Sequence, residues 1–123
     1  MNKIILITGV SGFIGFHLAQ ALLKKKFKII GIDNYSKSYE THIKKIRTLK
    51  LKENKNFLFY KKNLKNIDSF LKEKRIDTIF HLAAEAGVRR SIEKPLEYVE
   101  ENISNTIRIF KFAKKNEIKK VYY

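Results

Sequence analysis

The sequence contains no cysteine, so disulfide bonds and thiolate metal sites are excluded. This absence suits a reducing cytoplasm, which is where we expect the protein to act. No apolar run approaches the roughly 18–20 residues that a membrane span requires. The apolar stretch at residues 3–7 is too short for a signal peptide and leads into a glycine turn, not a cleavage site. We therefore expect no membrane association.

Acidic residues are scarce: 12 Asp and Glu face 27 Lys and Arg, which gives a formal net charge of +15. Such a charge is compatible with nucleic-acid binding. The competing explanation is base composition, because Lys, Ile, Asn, Phe and Tyr are abundant together and share A/T-rich codons. The lysines are scattered over predicted helix ends and loops, which favours solvated surfaces over a nucleic-acid site. The charge still attracts anionic ligands, phosphates included.

Histidine is also rare, and His17, His42 and His81 show no metal-ligand spacing. We interpret them as ordinary surface or strand-end residues and predict no metal site.

Apolar runs of strand length alternate with segments of helical period, a pattern typical of a parallel sheet covered on both faces. The predicted strands are residues 3–8, 28–33, 57–60, 78–82 and 119–123. Helices are predicted at 13–25, 39–51 and 67–74, the last capped by Asn66, and from Pro95 onward; 34–38 and 83–94 are predicted loops. Right-handed crossovers favour the strand order 3-2-1-4-5. We expect one α/β domain over residues 1–123, a Rossmann-type doubly wound parallel sheet truncated after strand five.

Two helices are predicted to carry an apolar face. In the first helix the recurring residues are Phe13, Ile14, Leu18, Ala21 and Leu22; in the last they are Leu96, Val99, Ile103, Ile107, Phe110 and Ala113.

Three glycines, Gly9, Gly12 and Gly15, separate the first strand from the first helix. Gly9 permits a sharp exit from the strand, Gly12 lets the backbone touch a phosphate, and Gly15 lets the helix lie against the sheet. The helix N-terminus adds free amides and a positive dipole end. A Walker-type phosphate loop is excluded because no Lys-Ser/Thr pair follows. The turn therefore predicts a dinucleotide pyrophosphate site.

Asp33 ends the second strand, 18 residues after Gly15. A carboxylate there accepts hydrogen bonds from the adenosine ribose hydroxyls and repels a 2′-phosphate. NAD is therefore the expected cofactor, in preference to NADP. The alternative is an aspartate that merely ends a strand.

The run Ile7–Gly15 resembles the nucleotide turn of the extended short-chain dehydrogenase/reductase superfamily, and residues 31–34 resemble the end of its second strand. The run His81–Ser91, with the sequence HLAAEAGVRRS, is similar to NAD-dependent nucleotide-sugar epimerases of the UDP-glucuronate 4-epimerase group. The related 4,6-dehydratases share its first five residues and then diverge from Ala86 to Arg89. Residues 98–102 and 119–123 also fit the family.

The resemblance implies that Ala83 and Ala84 line the nicotinamide-side ribose and that Asn102 supports the site; simple packing and a helix-surface role are the alternatives. Arg89 either meets an anion at the same mouth or is one more exposed cation. Asn63-Leu64 stands where the family usually has Asp-Leu or Asp-Ile for the adenine amino group, and an amide oxygen still accepts that bond. The predicted cofactor-binding residues are Gly9, Ser11, Gly12, Phe13, Ile14, Gly15, Asp33, Asn34, Asn63, Leu64, Leu82, Ala83, Ala84 and Asn102.

The family's catalysis uses a Ser or Thr after strand five and a Tyr-x-x-x-Lys helix, and the tyrosine takes the C4 hydroxyl proton. No tyrosine of this sequence is followed by lysine four residues later, so we predict no catalytic residue. The expected function is the NAD-binding amino-terminal portion of a UDP-glucuronate 4-epimerase-like enzyme, inactive alone. Its nucleotide sugar would need a complementary chain, and its open sheet edge would suit a protein partner. The alternatives are a 4,6-dehydratase fragment, a non-catalytic dinucleotide-binding module and a nucleic-acid-binding domain.

Overall fold

The protein folds around a five-stranded parallel sheet, seen in a computed structural model that describes residues 3–36 and 41–123. The strands are β1 (Ile4–Thr8), β2 (Lys28–Asp33), β3 (Phe57–Lys61), β4 (Thr78–His81) and β5 (Lys120–Tyr122). Their spatial order is β3-β2-β1-β4-β5, and every pairing is parallel. The predicted fold class and strand order are confirmed.

The central strand β1 is apolar along its length because both faces of the sheet are covered. Its alternate side chains enter two separate cores: Leu6 joins one cluster with Ile79 and Phe112, while Ile5 and Ile7 join the other. The sheet is thus buried on both sides at its centre, and the carboxyl ends of β1, β2 and β4 meet at one edge.

Six α-helices connect the described strands. They are α1 (Phe13–Lys24), α2 (Thr41–Lys52), α3 (Ile67–Phe70), α4 (Val88–Glu93), α5 (Pro95–Tyr98) and α6 (Asn105–Lys115). A 3₁₀ turn at Leu64–Asn66 precedes α3, and a π-helical segment at Val99–Ser104 joins α5 to α6. Within the described ranges, no helix combines the length and apolar character needed to cross a bilayer.

The third predicted helix is much shorter than residues 67–74, and its predicted cap is wrong. The Asn66 side chain makes no capping hydrogen bond, whereas Asn63 Oδ1 accepts from the Lys65 amide at 2.9 Å and caps the 3₁₀ turn. Of the second predicted helix, residues 39 and 40 lie outside the described residues, as do residues 37 and 38 of the loop before it.

The predicted loop at residues 83–94 contains helix α4, which the sequence analysis missed. This helix has six residues, too few to display a helical period, and none of them is buried. It begins after Gly87, whose φ of 108° turns the chain sharply. Without a buried face, α4 has no hydrophobic pattern from which to predict it.

The predicted apolar face of the last helix meets the core only at Ala113, and that of the first helix does so only in part, through Leu18 and Leu22, which pack against the core. Leu96, Val99, Ile103, Ile107 and Phe110 are between 41% and 82% exposed, and only Ala113 of that set is buried; Asn105, Ile109 and Phe112 face the sheet beside it. In α1, Gly15, Ala19 and Leu23 are buried, while Phe13 and Ile14 are exposed. Each helix is apolar on two sides, so the period alone cannot identify the side that meets the sheet.

Candidate functional site

A cleft opens at the carboxyl ends of β1, β2 and β4. It lies where β1 pairs with β2 on one side and with β4 on the other, so that consecutive crossovers leave in opposite directions. Open α/β sheets bind their ligands at this switch point. The lining residues are Thr8, Gly9, Gly12, Ile32, Asp33, Asn34, Ser36, Lys44, Lys62, Leu64, Leu82, Ala83, Ala84, Glu85, Glu101 and Asn105.

The structure brings eight of the fourteen predicted cofactor-binding residues to the cleft wall. These are Gly9, Gly12, Asp33, Asn34, Leu64, Leu82, Ala83 and Ala84. The other six, which do not line it, are Ser11, Phe13, Ile14, Gly15, Asn63 and Asn102. Arg89 also lies away from the cleft, exposed on α4.

Two of the three glycines in the turn are required by the fold itself. Gly9 has a φ of 68°, and a Cβ atom there would lie 2.8 Å from the Ala83 amide nitrogen. A Cβ on Gly15 would collide with the Gly9 carbonyl oxygen. The turn therefore packs against the end of β4 on one side and against the first turn of α1 on the other.

Gly12 differs from its two neighbours because its own backbone is ordinary. It has φ −72° and ψ 173°, an extended conformation open to any residue, and it immediately precedes α1 at the cleft wall. The first amides of a helix have no partner within the helix, and Gly12 has no side chain to cap them. The absence of a side chain here leaves the positive end of α1 open toward the cleft.

Asp33 is held at the end of β2 by two backbone amides. Its Oδ2 accepts from Ser11 at 3.0 Å and its Oδ1 from Tyr35 at 2.9 Å, and the residue is 8% exposed. Each oxygen keeps a lone pair for a further donor. A carboxylate fixed in this way presents two acceptors side by side, which is the arrangement that a vicinal diol requires.

Two lysines of the cleft, Lys44 on α2 and Lys62 after β3, were missed by the sequence analysis. Lys44 is 4% exposed, and its Nζ donates to the Ser36 carbonyl oxygen at 2.7 Å. Lys62 reaches the cleft from the segment after β3. A basic helix was predicted here, but nothing in its lysine-rich pattern distinguishes the buried Lys44 from its solvated neighbours.

On the β4 side, a chain of hydrogen bonds runs from β1 to the π-helical segment. Thr8 Oγ1 accepts from the Leu82 and Ala83 amides, both at 3.1 Å, and lies 2.7 Å from His81 Nδ1. His81 Nε2 lies 3.0 Å from Thr106 Oγ1, which donates to the Asn102 carbonyl oxygen at 2.7 Å. Since the Thr106 hydrogen is committed to that carbonyl, Nε2 donates to Thr106 and Nδ1 accepts from Thr8. We call this series the His81 chain.

His81 is therefore a neutral imidazole in one tautomer. It is the last residue of β4, as expected for a strand-end histidine, but it is 6% exposed and not a surface residue. Burial lowers the pKa of His81 below its ordinary value of 6.5. His17 and His42 are exposed, and in the described part of the chain no three His, Asp or Glu side chains gather as metal ligands would.

The His81 chain ends on the backbone of Glu85. The Asn102 side chain accepts from the Glu85 amide at 2.7 Å and donates to its carbonyl oxygen at 3.0 Å. Glu85 is 8% exposed, and its Oε2 has no hydrogen-bond partner among the described residues. Burial and the neighbouring Glu85 charge raise the pKa of Glu101, which lines the same wall. This side of the cleft is acidic, although the chain as a whole is strongly basic.

A family model described as GDP-mannose 4,6 dehydratase matches residues 6–123. Among curated proteins, an uncharacterised protein of Methanocaldococcus jannaschii is 43% identical over 126 residues, covering 98% of this chain and 39% of the relative. A UDP-glucuronate 4-epimerase of Thermodesulfobacterium geofontis is 37% identical over 119 residues, covering 94% of this chain and 37% of the relative.

Solved structures agree with these sequence matches. The UDP-glucuronic acid 4-epimerase of Bacillus cereus, in complex with UDP-glucuronic acid and NAD, superimposes with a TM-score of 0.83 at 35% identity, covering 96% of this chain and 38% of that chain. The UDP-Glc/GlcNAc 4-epimerase of Campylobacter jejuni gives a TM-score of 0.85 at 28% identity, covering 98% of this chain and 36% of that chain.

The chain thus spans between 36% and 39% of the length of these four relatives. The family model bears the name of a dehydratase, whereas the three relatives with a named activity are epimerases. Since the model matches almost the whole chain, this protein belongs to the GDP-mannose 4,6 dehydratase family, within the NAD-dependent epimerase/dehydratase group.

Proposed function

We propose that this chain binds NAD and is the cofactor-binding part of a nucleotide-sugar 4-epimerase of the UDP-glucuronate type. The observation that carries the proposal is the cleft itself, where the open N-terminus of α1 and the fixed Asp33 carboxylate lie along one wall. NAD, when bound, would accept a hydride from C4 of the sugar and return it.

The residues present fit a dinucleotide. Gly12 places no side chain at the open end of α1, so a pyrophosphate can approach the free amides there. Asp33 offers its two oxygens to the hydroxyls of the adenosine ribose. On the opposite side of the switch point, Leu82, Ala83 and Ala84 give a small, largely apolar wall for the second nucleotide.

Asp33 supports NAD in preference to NADP. A 2′-phosphate would bring its charge against a carboxylate that two backbone amides prevent from turning away. Lys44 and Lys62 line the same cleft, but the Lys44 ammonium is already engaged by Ser36. The discrimination therefore rests on Asp33.

The epimerase assignment is supported by the named relatives and by the segment Ala86–Arg89, which resembles epimerases more than dehydratases. The name of the matching family model favours a nucleotide-sugar 4,6-dehydratase as the second candidate. Both reactions begin with hydride transfer from C4 to NAD, so the cofactor site does not distinguish them. Product analysis would distinguish them, after the chain is combined with the remaining part of a relative and supplied with nucleotide sugars.

Titration calorimetry tests the cofactor assignment. We expect NAD to bind more tightly than NADP, and Asp33→Asn to reduce that preference. Asp68→Asn is the matched control, because Asp68 is an exposed aspartate that lies near Lys115 and away from the cleft. Gly12→Val should abolish binding in a chain that still folds. Equal affinity for both dinucleotides, or retained binding in Gly12→Val, would contradict the proposal.

Product analysis tests the catalytic side. We expect the 123-residue chain, incubated with NAD and UDP-glucuronate, to form no UDP-galacturonate. No tyrosine of the sequence is followed by a lysine four residues later, and loss of general-base help typically costs about 10²–10⁴ in rate. Clear product formation in a preparation free of host epimerase would mean that another residue replaces the tyrosine base.

A further inference from the structure

Two hydroxyl groups from outside helix α2 converge on Thr48, a residue of α2 that is 2% exposed. Its Oγ1 lies 2.6 Å from Ser11 Oγ in the glycine turn and 2.8 Å from the Tyr35 hydroxyl in the loop after β2. It also lies 2.9 Å from the carbonyl oxygen of Lys44, one helical turn earlier. We call these three side chains, Ser11, Tyr35 and Thr48, the hydroxyl hub.

The direction of each bond in the hub follows from counting protons. A carbonyl oxygen can only accept, so the one hydroxyl hydrogen of Thr48 goes to Lys44. The bonds from Ser11 and Tyr35 must then both be donated to Thr48 Oγ1, which fills its two lone pairs. The Ser11 hydroxyl hydrogen is therefore directed to Thr48.

The same two residues that donate to Thr48 also hold Asp33. The Ser11 amide donates to Asp33 Oδ2 and the Tyr35 amide to Oδ1. The four residues thus form a closed ring of hydrogen bonds. Ser11 and Tyr35 each bind Thr48 through the side-chain hydroxyl and Asp33 through the backbone amide. A shift of Thr48 would be passed to both amides.

The backbone of Tyr35 makes this ring of hydrogen bonds necessary. Its φ is 57°, a left-handed conformation that costs a residue with a side chain free energy unless the surroundings hold it. The bonds that do so are its amide to Asp33 and its hydroxyl to Thr48, with its ring stacked on Phe59 at 5.8 Å. If the hydroxyl bond is lost, one of the restraints on an unfavourable backbone is lost with it.

We propose that Thr48 is a positioning residue for the adenosine half of the cofactor site, because its hydroxyl fixes the two amides that orient the Asp33 carboxylate. Thr48 itself does not line the cleft. The role rests on the proposed NAD binding, since the ribose is the group that Asp33 would meet.

The test compares Thr48→Val with Thr48→Ser, using NAD and ADP-ribose as probes in calorimetry. Valine keeps the shape and removes the hydroxyl, whereas serine restores the hydroxyl. We expect Thr48→Val to weaken both probes about tenfold and Thr48→Ser to recover to within about threefold, as expected for the loss and return of positioning hydrogen bonds. Leu51→Val is the stability control, because Leu51 is a buried residue of α2 outside the hub. It should lower the unfolding free energy without weakening either probe.

A second measurement needs no ligand. In amide NMR spectra, Thr48→Val should shift the Ser11 and Tyr35 amide signals, and Leu51→Val should not. Binding of Thr48→Val at wild-type affinity would overturn the inference, as would unshifted amide signals. Failure of the wild-type chain to bind NAD would instead overturn the proposed function and leave the amide result to decide the positioning role.

If Thr48→Val does not fold, Tyr35→Phe and Ser11→Ala remove one arm of the hub each. Each should weaken NAD by about threefold, less than removal of the shared acceptor. Wild-type affinity in both would overturn the inference.

Discussion

The two sides of the cleft are both organised by a buried threonine hydroxyl, but they end differently. On the β2 side, Thr48 leads through Ser11 and Tyr35 to Asp33, and both Asp33 oxygens are hydrogen-bonded. On the β4 side, Thr8 leads through the His81 chain to Asn102 and then to Glu85, whose Oε2 lacks a partner among the described residues.

Exposed apolar surface does not distinguish the two sides. Helix α2, which follows β2, leaves Ile46 and Leu49 more than half exposed, and the segments after β4 leave Leu96 and Ile103 more than half exposed. The difference lies in hydrogen bonding at the cleft: both Asp33 oxygens have partners, whereas Glu85 Oε2 has none among the described residues. The adenosine half of the proposed cofactor, which would contact the β2 side, should therefore meet a site whose hydrogen-bonding groups are already in position.

The largest expected effect lies where the two sides meet, at Gly9. Its amide donates to the Ile32 carbonyl oxygen of β2 at 2.8 Å, and its Cα faces Leu82 and Ala83, which directly follow β4. In Gly9→Ala, the left-handed backbone becomes unfavourable and the added Cβ overpacks the contact with Ala83. We therefore expect a loss of about 3 kcal/mol in the free energy of unfolding. Urea denaturation measures it. Gly12→Ala is the control and should lose far less, because its backbone is extended; a similar loss in both would contradict the distinction.

Thr8→Val should have the next largest effect. It removes the acceptor of the Ala83 amide and the donor to His81 while conserving shape. We expect a loss of about 2–3 kcal/mol, since buried groups without partners each cost roughly 1–3 kcal/mol. The comparison is Thr106→Val, at the far end of the His81 chain. A larger loss in the free energy of unfolding for Thr106→Val than for Thr8→Val would contradict the view that Thr8 organises the His81 chain.

Acid should weaken the β4 side through His81. Because burial holds the folded-state pKa below the ordinary value of 6.5, the contribution of neutral His81 is present above pH 6.5 and is lost as the pH falls below it. Protonation would also oblige Nδ1 to donate toward Thr8, whose hydroxyl already receives two amides.

Thermal unfolding between about pH 7.5 and pH 5.5 checks this effect. His81→Gln, which retains one acceptor and one donor without titrating, should flatten the profile. His17→Gln, at an exposed position, should leave it unchanged. An unaltered acid response in His81→Gln would assign the effect to other groups.

The smallest effect separates two adjacent carboxylates. A hydrogen bond from Arg108 lowers the pKa of Glu100, with Arg108 Nη1 2.6 Å from its Oε1, whereas burial and then the Glu85 charge raise the pKa of Glu101. Near neutral pH, Glu101→Gln should therefore raise the melting temperature slightly and Glu100→Gln should lower it. The Glu101 penalty sets in as the pH rises through its folded pKa, so the gain should vanish in acid. A gain that persists in acid would contradict its electrostatic origin.

The parts of the fold that could be predicted from the sequence are those that depend on hydrophobic periodicity or on a backbone conformation that requires glycine. The buried strands, their order and the positive φ of Gly9 all leave a pattern in residue type. Thr48 and Lys44 left none, because a basic helix containing two threonines resembles a solvated surface helix. The unpartnered Glu85 oxygen was also invisible, since it depends on contacts between segments that are distant in sequence.

The long helix shows a further limit. Its residues repeat at helical spacing, but Val99–Ser104 is π-helical, and Asn102 within it makes the clamp on Glu85. An α-helical period cannot predict that change of pitch, nor which of two apolar sides meets the sheet.

The π-helical segment also constrains how the length of this protein can vary. A π turn holds an extra residue, so deleting one position within 99–104 would convert it into ordinary α-helix. The residues of α6 would keep their orientation, because the π turn accommodates its extra residue locally, and Ile109 and Phe112 would still face the sheet. A one-residue insertion or deletion within the regular helix α6 would instead rotate every later residue by about 100° and turn the buried side chains away from the sheet. A change of length is therefore tolerated better in the π-helical segment than in the helix that follows it.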